Sequence, residues 1–157
     1  MIKFVKFRDV LEMLNEYKQV GILYHYTSLE YLFSILNDNE IKSFNRVKNK
    51  FVISFTRDKN WHHRYETGPV RITINGNKLS NNYKIQPYHD LSYFNSKSAT
   101  TENDEMEEMV YTKEIINITD YIIEIIIIKN NIHPEDKEYY AKVINKLKSL
   151  NINFKIF

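Results

Sequence analysis

The chain contains no cysteine, which excludes disulfides, thiolate zinc sites and cysteine nucleophiles together. That fits a reducing cytosol. Its three glycines, Gly21, Gly68 and Gly76, are too scattered to form either common glycine-rich nucleotide fingerprint. With only three prolines as well, collagen-like and linker-like classes are excluded. No apolar signal-peptide core follows Met1-Ile2-Lys3. The apolar run from Ile122 to Ile128, interrupted by Glu124, is far shorter than the ~20 residues needed to span a bilayer. A soluble, cytoplasmic protein without membrane association is expected. A net charge of +2, from 22 basic and 20 acidic side chains, selects no class of partner.

What is present is a globular composition: 157 residues, 43% hydrophobic and 14% aromatic, which is one domain (residues 1–157) by length. Helical spacing predicts a helix over Phe7–Val20, and Ile22–Thr27 reads as a strand. Ser28 then caps a helix whose apolar face is Leu29, Leu32, Phe33, Ile35 and Leu36, stopped by Asn37-Asp38-Asn39. Strands are expected at Phe51–Thr56, Val70–Ile74, Tyr83–Tyr88, Met106–Tyr111, Tyr121–Ile128 and Asn151–Phe157. Pro134–Leu150 reads as a helix, and Leu91–Asn103 as a polar surface loop. The local basic run Lys42–Lys50 reads as a solvated loop, with a phosphate-contacting patch as the alternative. The pattern is a mixed α+β domain in which strands dominate after residue 50.

Three segments could carry chemistry. In Leu23-Tyr24-His25-Tyr26-Thr27, alternation puts Leu23, His25 and Thr27 on one face and both tyrosines on the other. His25 is either a half-buried histidine bonded to backbone or a donor to a ligand's ribose or amide. Ser54-Phe55-Thr56-Arg57-Asp58 carries two hydroxyls on one face and a guanidinium suited to phosphate or carboxylate; the plainer use of Arg57 is a surface pair with Asp58. In Glu105-Met106-Glu107-Glu108, alternation groups Glu105 with Glu107 and sets Glu108 opposite, in a strand that glutamate does not favour. His62, His63 and His89 offer poor metal-ligand spacing, so no metal site is expected, and Trp61 and Tyr65 read as packing rings that could also stack on a base.

Taken in order, LYHYTSLEYLFSIL, VISFTR and EMEEMV resemble the ADP-ribosyltransferase superfamily, in particular small phage and bacterial members and more distantly the DarT type, over roughly residues 22–128. The resemblance implies an α+β fold with a split, mixed/antiparallel β-sheet core and flanking helices. It implies NAD as substrate, with His25, Tyr26 and Thr27 contacting it and His25 on the ribose and nicotinamide amide. Ser54 and Thr56 would support the nicotinamide pocket, and Arg57 would bind the diphosphate or orient the acceptor. Glu107 would be the catalytic glutamate and Glu105 its partner in acceptor choice, with Glu108 the competing catalytic assignment. The middle motif departs from a Ser-Thr-Ser core, which leaves the role of Arg57 open. The implied reaction transfers ADP-ribose to a macromolecular acceptor (DNA, RNA or protein) with release of nicotinamide. The alternatives are NAD hydrolysis, or a non-catalytic phage-type binding protein or inhibitor on the same fold. An antitoxin or host protein as partner, and the host cytoplasm for a phage-encoded chain, belong to the same reading.

Overall fold

The computed structural model describes residues 20–47, 49–59, 68–87 and 107–157. The helix expected over Phe7–Val20 and the loop expected over Leu91–Asn103 lie outside the described residues, apart from Val20.

Strand β1 (Ile22–Thr27) is followed at once by helix α1 (Leu29–Asp38). Ser28 separates them because its hydroxyl accepts the Tyr31 N–H at 3.2 Å, satisfying one of the free donors of the first turn. Leu29, Leu32, Ile35 and Leu36 are buried, the face the spacing predicts. Asn39 ends the helix in the left-handed region, at φ 53°, with its N–H on the Ile35 carbonyl. Two short strands follow, β2 (Glu40–Lys42) and β3 (Asn45–Val47). The basic run expected as a solvated loop is therefore partly strand. Asn49 takes φ 65°, which turns the chain back, and β3 pairs antiparallel with β4 (Lys50–Thr56). Arg46 lies opposite Phe51 in that ladder, with its guanidinium 4.3 Å from the ring centre.

Next come β5 (Val70–Asn75), the five-residue helix α2 (Gly76–Ser80), β6 (Ile85–Pro87), β7 (Glu107–Val110) and β8 (Glu114–Ile116). Sequence pattern alone reads Asn75-Gly76-Asn77 as the close of the strand expected at Val70–Ile74. The stretch starts α2 because the Asn75 side chain accepts the Lys78 N–H at 3.0 Å. The chain closes with β9 (Ile122–Ile127), helix α3 (Lys137–Ser149), entered through a 3-10 turn at Pro134–Asp136, and β10 (Phe154–Ile156).

One sheet runs in the order β10-β9-β5-β1-β4-β7-β6, with β3 attached to β4. Among the described strands only the β10–β9 pair is parallel, so the sheet is mixed and mostly antiparallel. Strands β2 and β8 form a separate two-stranded sheet. Helices α1 and α3 pack on each other, with the Phe33 and Tyr139 rings 5.9 Å apart. Leu23, Ile53, Phe55, Ile72, Ile74, Ile125 and Ile127 join the buried residues of both helices in one core. The central seam is uneven. Strand β1 matches β5 at all six positions, from Ile22↔Asn75 to Thr27↔Val70, but meets β4 only at Tyr24↔Thr56. The sheet opens along β1 and β4 just where His25 and Ser54 lie.

Candidate functional site

At that opening, the His25 ring takes over a hydrogen bond that a ladder would otherwise make. Its Nδ1 lies 3.1 Å from the Ser54 carbonyl oxygen. A carbonyl can only accept, so Nδ1 carries the proton and donates. Burial of the ring pushes its pKa down from 6.5, an effect the Ser54 hydrogen bond only partly offsets. The imidazole is thus neutral at neutral pH, and its Nε2 presents a lone pair. Such a nitrogen suits a hydroxyl donor, as on a ribose.

Phe55 sits beside His25, with ring centres 5.4 Å apart at 54°. On the far side of Phe55, strand β7 places Glu108 directly opposite it, and Pro87 of β6 is opposite Glu108 in turn. His25, Phe55 and Glu108 therefore form a row across three strands. Two strand spacings separate its ends, roughly 10 Å between backbones.

Glu108 is a carboxylate in an apolar place, its side chain only 1% exposed. Burial pushes its pKa up from 4.5 to about 7, and the charge of Arg57 holds it back from rising further. Arg57 leaves the end of β4 on the same face as Phe55, one pleat along, with its Nε 3.0 Å from Glu108 Oε1. The N–H is poorly aligned with that oxygen, so the contact is an ion pair rather than a good hydrogen bond. Arg57 pairs with Glu108 across the sheet. At 32% side-chain exposure the guanidinium keeps access to solvent, and so to a ligand.

The other expected site residues are placed as follows. Glu107 pairs in register with Thr56, one residue away from the His25 row. Glu105, Trp61, His62, His63, Tyr65 and His89 lie outside the described residues. Ser54 contributes its carbonyl to His25. The Thr56 hydroxyl accepts the Asp58 N–H at 3.0 Å, tightening the turn after β4. Thr27 ends β1 opposite Val70, with the Gly68 backbone packed against its carbonyl. Tyr26 is on the face away from His25, in register with Arg71, and its hydroxyl donates to the Lys59 carbonyl at 2.8 Å.

Sequence reasoning missed Arg71, which is 7% exposed on a central strand. The signal was available: in Val70-Arg71-Ile72-Thr73-Ile74, alternation puts Arg71 and Thr73 on the face opposite the core isoleucines. Among the described residues, no group of three or more metal-ligating side chains is gathered. Among them, too, no helix is long and apolar enough to cross a membrane.

The sequence matches no protein-family model and no curated protein. In structure the chain is similar to the Thermus sp. 2.9 DarT solved in complex with carba-NAD+, with a TM-score of 0.53 at 13% sequence identity. The match covers 90% of this chain and 97% of that one. At that identity the likeness concerns the fold alone: a DarT-like α+β architecture with a mixed, mostly antiparallel sheet flanked by helices.

Proposed function

We propose that the protein is an NAD-dependent ADP-ribosyltransferase that passes ADP-ribose to a macromolecular acceptor and releases nicotinamide. The observation that carries this reading is the row His25–Phe55–Glu108, with Arg57 set against the carboxylate. Its location at the opening between β1 and β4, and the resemblance of the fold to a protein solved with an NAD analogue, support it.

Breaking the nicotinamide–ribose bond sends the bonding pair to the nicotinamide nitrogen, and positive charge builds on the ribose. An ionised Glu108 stabilises that charge in a site of low polarity. As the acceptor's heteroatom bonds to the ribose carbon, its proton passes to the same carboxylate. A carboxyl with a pKa of about 7 suits both tasks near neutral pH. The neutral His25 Nε2 accepts a ribose hydroxyl and fixes the sugar. Arg57 keeps part of Glu108 ionised and orients its oxygens. No step needs a metal.

Glu108, rather than Glu107, is the catalytic glutamate in this reading, because register places Glu108 in the histidine's row. The test is incubation with NAD labelled in the adenylate half, offered with DNA, RNA and protein extracts in turn. Label is expected on one macromolecular fraction, with nicotinamide released in equal amount. Label on free ADP-ribose alone would make the protein an NAD glycohydrolase. Absence of both nicotinamide release and NAD binding would overturn the proposal.

A further inference from the structure

The turn after β4 carries Arg57 on one face of the sheet, yet two residues later it is held from the other face. The carbonyl of Lys59 accepts two side-chain donors, Tyr26 Oη at 2.8 Å and Arg71 Nη1 at 3.2 Å. These come from different strands, β1 and β5, but from directly opposed positions in their ladder. They are also joined to each other, since the Arg71 guanidinium hydrogen-bonds the Tyr26 hydroxyl and lies 5.2 Å from the centre of the Tyr24 ring. Closer to Arg57, the Asp58 N–H is held by the Thr56 hydroxyl at 3.0 Å. The turn at residues 57–59 is thus tied to β1 and β5 at Lys59, and to Thr56 of β4 at Asp58.

A buried arginine is costly unless its hydrogen bonds are met; here the guanidinium donates to a main-chain carbonyl and a phenol, while its buried Nε is left without a partner. Surface packing does not call for such an arrangement. It makes sense if the backbone at residues 57–59 must not move. A guanidinium set 3.0 Å from a buried carboxylate loses its effect if the backbone shifts by about an ångström.

We infer that Tyr26 and Arg71 are positioning residues for Arg57: by donating together to the Lys59 carbonyl, they fix the turn that sets its guanidinium against Glu108. This rests on the transferase reading for its effect on catalysis, but the structural coupling stands apart from it. It also gives Tyr26 a different task from the NAD contact that the family resemblance implies.

The charged and titratable groups bearing on Glu108 are few among the described residues. Arg57 stands at the exit of β4, His25 lies two strands away on β1 beyond Phe55, Glu107 is the chain neighbour on β7, and β6 brings only Pro87 opposite it in register. Arg57 is the group that lowers the Glu108 pKa, so loosening the turn raises that pKa further. The acidic limb of the pH–rate profile then moves to higher pH.

The experiment compares wild-type protein with Tyr26→Phe, Arg71→Met and Arg71→Lys in nicotinamide release across pH. Tyr26→Phe and Arg71→Met are expected to lower kcat by about tenfold or more, with little change in the KM for NAD. Their acidic limb moves up by about one pH unit. Arg71→Lys, which keeps a donor, restores part of both. A raised KM with kcat and the limb unchanged would make Tyr26 an NAD contact and overturn the inference. A lowered kcat with an unmoved limb would also overturn it, as the effect would be merely structural. Should Arg71→Met fail to fold, Tyr26→Phe decides alone. Should the wild type release no nicotinamide, NMR titration of the Glu108 carboxyl in wild type and Tyr26→Phe decides instead. A higher pKa in the variant would then uphold the clamp while the transferase reading fails, and an equal pKa would reject the clamp.

Discussion

Arg57 and Glu108 meet across two antiparallel strands, Nε to Oε1 at 3.0 Å, and the carboxylate still titrates near pH 7. Burial outweighs the attraction of the neighbouring cation. An ordinary ion pair would bring the glutamate below its usual range; here burial, not pairing, decides its charge state.

Activity should follow from that balance. If the ionised carboxylate is the working form, kcat/KM rises with pH through about 7 and then levels. His25 does not add a limb there, because its pKa is depressed and the ring is already neutral. In Arg57→Met the limb moves to higher pH, as the charge that favours ionisation is gone. A pH–rate series on both proteins checks this.

Stability should carry the same signature with a definite sign. The folded pKa of Glu108 lies above its unfolded value of 4.5, so its contribution is fully present below pH 4.5 and lost as pH rises to about 7. The loss is at most about 3 kcal/mol. Glu108→Gln removes the buried charge while keeping the shape. That variant is expected to be more stable than wild type at pH 8 by about 1–3 kcal/mol, the difference fading toward pH 4.5. Denaturant unfolding at the two pH values measures it. Taking the difference between the proteins cancels the opposite contribution of His25, which is lost as pH falls.

His25→Ala should act mainly on substrate binding. Loss of the hydroxyl-accepting Nε2 costs about 1–3 kcal/mol, seen as a KM for NAD raised roughly ten- to a hundredfold with a smaller fall in kcat. Steady-state kinetics separates the two parameters.

Gly68→Ala tests the architecture around the site. A methyl group there would strike the Thr27 carbonyl and come within 2.9 Å of the Ser28 nitrogen, both of them backbone atoms with little room to yield. Destabilisation of about 1–3 kcal/mol is expected, read as a lowered Tm. Ser28→Ala, which loses the α1 cap, should cost about 1 kcal/mol.

Much of this was legible from local pattern. Alternation placed Leu23 and His25 together and Tyr26 opposite, and the helical period gave the buried face of α1. The position of Glu108 opposite Phe55, in the row of His25, was not legible, because it depends on the register of β7 against β4, some fifty residues apart in the chain. Lys42–Lys50 looked like a loop because its lysines masked two short strands, which pairing partners impose more than propensity does. Arg71 looked like an ordinary strand residue, since the carbonyl it serves belongs to a distant turn.

The most direct test of the account is nicotinamide release from NAD by wild type, Glu107→Gln and Glu108→Gln, each confirmed folded. The account predicts that wild type and Glu107→Gln release nicotinamide at comparable rates, while Glu108→Gln falls by a hundredfold or more, on the order of 3 kcal/mol of transition-state stabilisation. Release that survives Glu108→Gln, or that is lost in Glu107→Gln alone, would contradict it.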